Sequence, residues 1–224
     1  MRTEYAPHAS FFRMVHARML SRMSRSLAAA SLASFLAACD SRQPAEVGFW
    51  FEPVAFDSPR IGGALTPIDM NAIVSTAVVE IQRAFAGLPI TVSDNREARF
   101  RVRVVQALDD PRFRRQVGVA GASRSLTGLG GNGAVSFYFL ASGALTFAPA
   151  DGDRATIIAA IGTGIGRTAV HELVHQMFPT APIHDSADVG SYEYASAARA
   201  EQFYGPMRWN LARPLLEKRF ASTP

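Results

Sequence analysis

One cysteine, Cys39, stands among 224 residues, so no disulfide can form within the chain. Long apolar runs are scarce as well. Leu27 to Ala38 is too short to span a bilayer, which takes about 20 residues, and no second such run follows. Charge of one sign is missing from most of the chain. The net charge is +4, but five of the 23 basic residues and one of the 19 acidic residues lie in residues 1–38. The remaining 186 residues balance at 18 of each, so the basicity of the whole is no sign of a nucleic-acid partner. Histidine is the last scarcity. Of five, His8 and His16 precede residue 38, while His171, His175 and His184 share one 14-residue window.

What is present begins with a targeting signature. Arg18, Arg22 and Arg25 precede the apolar run, which ends in Leu36-Ala37-Ala38-Cys39. A charged region, a short apolar stretch and small residues before a cut describe a secretory signal over residues 1–38. Met19 or Met23 would give a more ordinary leader than Met1. The tetrad Leu-Ala-Ala-Cys resembles the bacterial lipobox, which implies lipidation of Cys39 and attachment to a membrane. Several acyl chains on such a cysteine hold firmly where one would not. By resemblance to the sorting rule of enteric bacteria, Asp40 implies retention on the inner membrane, facing the periplasm. Residues 39–46 then read as a tether, and 47–224 as a single domain with a full core.

Periodicity places the elements. Val47–Phe56 is aromatic and partly alternating, which predicts a strand. Thr66 as N-cap, Pro67 at N1 and Asp69 in the first turn open a long helix, with Ile73, Ala77, Val78, Ile81 and Phe85 at helical spacing and Gly87 as its stop. Leu88–Val92 is a short strand. Phe100, Val102 and Val104 alternate with Arg99, Arg101 and Arg103, a strand with one buried and one wet face; the arginines form either a solvated face or an anionic-ligand patch. Residues 118–133, rich in glycine, read as a mobile loop. Ala134–Leu140 and Ala144–Phe147 read as a hairpin about Ala141-Ser142-Gly143. Arg154–Phe178 is mostly helical and ends at Pro179. Gly162, Gly164 and Gly166 within it lack nucleotide-binding spacing and point to a helix break or to close packing against a neighbouring backbone.

The chemistry lies in His171-Glu172-Leu173-Val174-His175, an H-E-x-x-H pentad that chance alone puts in about one in a hundred chains of this size. Residues four apart on a helix share a face, so His171 and His175 can turn ring nitrogens toward one zinc ion. Glu172 is adjacent but offset, which suits a general base for hydrolysis and not a ligand. A catalytic zinc normally has three protein ligands and an open position. The third is open between His184, which follows a proline-containing turn, and Glu193, 18 residues beyond His175 on a possible helix, with Asp185 and Asp188 behind them.

With these residues the chain resembles the metzincins, the zinc-peptidase clan of matrixins, astacins and serralysins. The order of strand, long helix, two strands, hairpin and H-E-x-x-H helix is similar to that clan's N-terminal subdomain. His184-Asp185-Ser186 resembles the segment around the clan's third histidine, Asp188-Val189-Gly190-Ser191-Tyr192 is similar to its Met-turn Ser-Val-Met-Ser-Tyr, and Glu201-Gln202-Phe203-Tyr204-Gly205 to the end of the matrixin catalytic domain. Two departures stand out. The third histidine lies nine residues after the second instead of six, with Ala181 at the usual site, and Gly190 replaces the turn methionine. The resemblance implies an α+β, zincin-like fold: a twisted mixed sheet, a long backing helix, the H-E-x-x-H helix and a small, mostly helical C-terminal part. It implies one catalytic zinc on His171, His175 and His184, with Glu172 as catalytic base. Tyr192 would either act near the metal or simply pack. The strand Ala134, Val135, Ser136, Phe137 and Tyr138 would be the edge that pairs with an extended peptide, or else a buried edge. The function expected is a lipid-anchored zinc metallopeptidase acting on peptides or proteins. The alternatives are a non-catalytic envelope lipoprotein that keeps the fold for binding, and hydrolysis of a non-peptide amide.

Overall fold

The computed structural model describes residues 44–108, 120–125 and 130–220; the expected leader, Cys39 and Asp40 lie outside them. The first strand, β1, runs Ala45–Phe51, so the last two residues of the expected tether belong to the sheet, and the strand stops short of Phe56. It is joined by β4 (Ile90–Ser93), β5 (Phe100–Val105), β6 (Gly121–Ser125) and β7 (Gly131–Ser136) in a five-stranded sheet of order β4-β1-β5-β7-β6. β4, β1, β5 and β7 are parallel, and β6 runs antiparallel to β7 at the end of the sheet. A separate two-stranded ribbon pairs β2 (Asp57–Ser58) with β3 (Gly63–Ala64). In β5, Phe100, Val102 and Val104 are buried and the arginines between them are not.

Helix α1 (Pro67–Ala84) starts where local chemistry dictates. Thr66 accepts from the backbone N–H of Asp69, and the Asp69 carboxylate accepts from that of Thr66, a capping box ahead of Pro67. Gly87, at φ +80°, turns the chain after the helix. Helix α3 (Arg154–Met177) is capped by Asp153, whose carboxylate accepts from Thr156 N–H at 2.8 Å. It is continuous through Gly162, Gly164 and Gly166. These glycines serve close approach: a Cβ at Gly162 would stand 2.6 Å from the carbonyl of Ile73, and one at Gly166 2.7 Å from that of Ala77. α1 therefore lies with its backbone against α3. Ile73, Ala77 and Ile81 of α1 and Ile157, Ile161, Ile165 and Leu173 of α3 are fully buried, each large aliphatic side chain contributing about 1.5–3 kcal/mol. α3 is also long and apolar enough to cross a membrane by composition, but 83% of its most apolar window is buried inside this protein, the pattern of a core helix.

Three expectations need correction. The glycine-rich stretch contains β6 and the start of β7, where glycine gives α3 room to sit on the strands: a Cβ at Gly131 would meet the side chain of Gln176 at 2.6 Å. The expected hairpin is not formed. β7 ends at Ser136, and Phe137–Thr146 is helix α2, capped by the Ser136 hydroxyl accepting from Phe139 N–H. Phe137, Leu140, Ala141 and Ala144 are its buried face, a 3–4 spacing that outweighs the strand propensity of the aromatic residues. The C-terminal part is mostly irregular. Between Phe178 and Leu211 the described structure holds a 3₁₀ turn, Ala200–Gln202, and two isolated bridges, before the short helix α4 (Ala212–Phe220). The described residues form an α+β arrangement of a mixed five-stranded sheet and four helices.

Candidate metal centre

His171 and His175 emerge from the last turns of α3, and His184 comes back to them from the irregular segment. Nε2 of His175 is 3.1 Å from Nε2 of His171 and 3.0 Å from Nε2 of His184. One ring nitrogen from each lies within 4.8 Å of the others, the one such cluster of three or more potential metal ligands among the described residues. Nitrogens held at 2.0–2.1 Å by one tetrahedral ion are about 3.3 Å apart, close to what is seen. The tautomer fits too. Nδ1 of His171 lies 2.9 Å from the carbonyl of Tyr192, which can only accept. Nδ1 therefore carries the proton, and in the neutral ring Nε2 presents a lone pair to its neighbours. Burial holds both His171 and His175 down to about 4, so both rings are neutral near pH 7 and available as ligands.

Glu172 is buried on the sheet side of the pentad. Its backbone carbonyl accepts from the Ser123 hydroxyl of β6 at 2.9 Å, and a Cβ at Gly121 would lie 2.5 Å from Oε1. Glycine at 121 thus leaves the space that the carboxylate occupies. Burial pushes the carboxyl up to about 7, with the Ser123 hydroxyl acting in the opposite sense. A cation among the histidines favours its ionised form. Around the cluster opens a cavity of about 740 Å³, lined by β6 from Gly121 to Ser123, the three histidines, Glu172, and the segment Tyr194–Ala198, and reaching Arg167, Thr168 and Gln202.

The other expected site residues fall elsewhere. Glu193 is buried away from the ring nitrogens and caps α4: it accepts from the backbone N–H of Asn210, Leu211 and Ala212 and from the Ser191 hydroxyl. Asp185 and Asp188 are tied to Asn210 Nδ2 at 2.6 and 2.7 Å and to nearby backbone N–H groups. Tyr192 turns its phenol inward, where it donates to Glu80 Oε1 at 2.9 Å. Burial first, then the adjacent carboxylate, holds that phenol well above its ordinary range. What Tyr192 offers the histidines is its carbonyl. The strand Ala134–Tyr138 is not an edge: β7 lies between β5 and β6, and Phe137 and Tyr138 belong to α2. β6 ends the sheet and borders the cavity. Tyr194, beside the cavity, was not singled out by sequence; a tyrosine two residues beyond the Ser-Tyr pair is the only signal it gave.

At the wall of the cavity a buried polar cluster joins α1, α3 and the turn at Glu201–Gln202. Arg167 of α3 donates from Nε to Glu80 Oε1 of α1 at 3.0 Å and from Nη1 to the Glu201 carbonyl at 2.6 Å. Gln202 donates to the carbonyl of Gly164 and the hydroxyl of Thr168. No protein family, curated protein or solved structure matches this chain.

Proposed function

We propose that this protein is a zinc-dependent metallopeptidase of metzincin-like fold, anchored by a lipid on Cys39 in the bacterial cell envelope. One observation carries the reading: three imidazole Nε2 atoms converge, with neighbours 3.0 and 3.1 Å apart, beside the buried carboxyl of Glu172 and a sheet edge. The donor set suits zinc, since three neutral imidazoles with one oriented by a carbonyl are a common ligand arrangement. Zinc held by His171, His175 and His184 supplies a Lewis acid that acidifies water and polarises a carbonyl. Glu172 receives the proton of the attacking water and delivers it to the departing amine, a role for which a carboxyl tuned toward neutrality is suited. Ser123 fixes the backbone of Glu172 through its carbonyl, and Gly121 leaves the carboxyl its space. The free side of β6 offers backbone groups to an extended peptide, which would lie along the cavity as an added strand. Tyr192 orients His171 through its carbonyl.

The test is metal content together with hydrolysis. The folded protein is expected to take up about one zinc per chain, and Glu172→Ala to lower peptide hydrolysis by about 10²–10⁴-fold with the metal retained. A folded protein that binds no transition metal in excess, or a Glu172→Ala variant with unchanged hydrolysis, overturns the reading. Retained metal without hydrolysis by the parent protein would mark a binding protein instead.

A further inference from the structure

Gln176 stands between His175 and the end of α3, and its side chain is fully buried. Its amide is bonded twice to one residue of the sheet. Oε1 accepts from the backbone N–H of Arg101 at 3.1 Å, and Nε2 donates to the carbonyl of Arg101 at 3.0 Å. An amide side chain presents a donor and an acceptor side by side, as a backbone peptide does. Gln176 thus meets β5 in the way a neighbouring strand would. β7 makes room for it: a Cβ at Gly131 would stand 2.6 Å from its Cγ, and one at Gly133 3.0 Å from its Nε2.

The same amide reaches the backbone of Glu172. Nε2 lies 3.4 Å from the Ser123 hydroxyl, which donates to the Glu172 carbonyl at 2.9 Å. The Ser125 hydroxyl donates to the carbonyl of Gln176 itself at 3.3 Å. The last turns of α3 are therefore tied to β5 and β6 by hydrogen bonds, whereas at Gly162 and Gly166 the helix is seated on α1 by close packing. Direction matters here. At about 100° per residue, Glu172, His175 and His171 stand about 40°, 100° and 140° round the helix from Gln176, all in one sense. Turning the helix by about 20° would carry an atom about 5–6 Å from its axis through about 2 Å. That is as long as the whole bond from an imidazole nitrogen to zinc.

We propose that Gln176 is a positioning residue for the candidate metal centre. Its paired bonds to Arg101 set the rotation of the last turns of α3, and with it the aim of His171 and His175 and the place of Glu172. This rests on the zinc reading of the three histidines and adds a requirement to it. Ligand spacing along a helix is not enough, because the helix must also be held at one angle to the sheet.

The test substitutes Gln176 in the full chain and reads the site with and without catalysis. Gln176→Met keeps the length and removes both bonds, while Gln176→Glu keeps the acceptor and, as a carboxylate, has no donor. Cobalt(II), bound in place of zinc, reports the arrangement of its ligands through its visible spectrum. The Met variant is expected to change that spectrum and to lower zinc affinity by about 10- to 100-fold. At saturating zinc it should lower kcat by a similar factor, with KM little changed. The Glu variant should fall between it and the parent. Ile161→Val, a core change about three turns from His171, controls for stability. It should lower the melting temperature and leave spectrum and kcat as they are, which is how a merely structural Gln176 would behave. A Gln176→Met protein that folds and keeps the parent's cobalt spectrum and zinc affinity overturns the proposal. If the Met variant does not fold, the Glu variant decides on the same readouts, with Gly133→Ala, which presses on Nε2 of Gln176 from β7. If the parent binds metal without cleaving peptide, spectrum and affinity decide alone. A parent that binds no transition metal overturns the zinc reading, and this proposal with it.

Discussion

Helix α3 carries His171 and His175 on successive turns of a buried, backbone-bonded rod, whereas His184 reaches them from a segment with almost no regular structure. The two regions are held by different forces. α3 is fixed by apolar burial against α1 and the sheet, with glycines letting backbones touch. The segment from Phe178 to Leu211 buries few aliphatic side chains and is fixed by polar groups that take up backbone donors and acceptors: Glu193 at the start of α4, Arg199 on the Ser191 carbonyl, Asp188 on Gly190 N–H. Hydrogen bonds to charged groups contribute about 1.5–3 kcal/mol each, so a few of them replace a helix's worth of repeated contacts. The candidate site made from both has two histidines whose spacing is set by helix geometry and a third whose position depends on a polar network.

The sharpest break of this contrast is at Glu193. Glu193→Ala leaves the first N–H groups of α4 without a partner in a buried place and is expected to destabilise by about 3 kcal/mol, measured by chemical denaturation. The folded fraction should keep its metal. His184→Ala should do the reverse. The residue is exposed, so stability should move by no more than about 0.5 kcal/mol, while metal affinity falls by more than about 100-fold. If Glu193→Ala remains folded and loses the metal, the assignment of roles is inverted.

On the helix side, Gly166→Ala pushes a methyl against the Ala77 carbonyl and the Glu80 side chain and should cost about 1–3 kcal/mol by overpacking. A melting curve equal to the parent's would show that the two backbones have room to part. The smallest effect concerns the α1 cap. The hydrogen bond from Arg154, then those from Thr66, hold the Asp69 carboxyl well below its ordinary range. A carboxyl depressed in the folded state adds stability above its unfolded value, near 3.9, and that gain fades as pH falls toward the folded value. Asp69→Asn should therefore lower the melting temperature slightly at pH 7, and the difference from the parent should shrink below about pH 4. A difference independent of pH would mean the cap acts through its shape alone.

Legibility followed the same division. α1 was readable with its cap and α3 by its extent and its stop at Pro179, because Thr66, Pro67, Asp69 and the 3–4 spacing of buried residues are local signals, whereas the Asp153 cap of α3 was not singled out. β5 was readable by alternation. α2 was misread because Phe137, Tyr138 and Phe139 favour strands, while the burial of Phe137, Leu140, Ala141 and Ala144 depends on which neighbour arrives. The glycines of β6 and β7 were taken for flexibility, since nothing nearby in sequence says that a helix lies against them. Glu193 was plausible near the histidines by spacing and Tyr192 by resemblance, with packing as its alternative, but their partners, Ala212 and Glu80, are distant along the chain.

By itself the sequence settled that His171 and His175 share one face, because 3.6 residues per turn is a local property of a helix that its own residues specify. It likewise settled that these residues and His184 are the only histidines beyond residue 16. Only the folded chain decided that His184 returns to them, that Glu193 caps a helix, and that β6 and not β7 borders the cavity. Those outcomes turn on contacts between residues far apart in sequence, where closing the loop and satisfying buried polar groups select one arrangement from many.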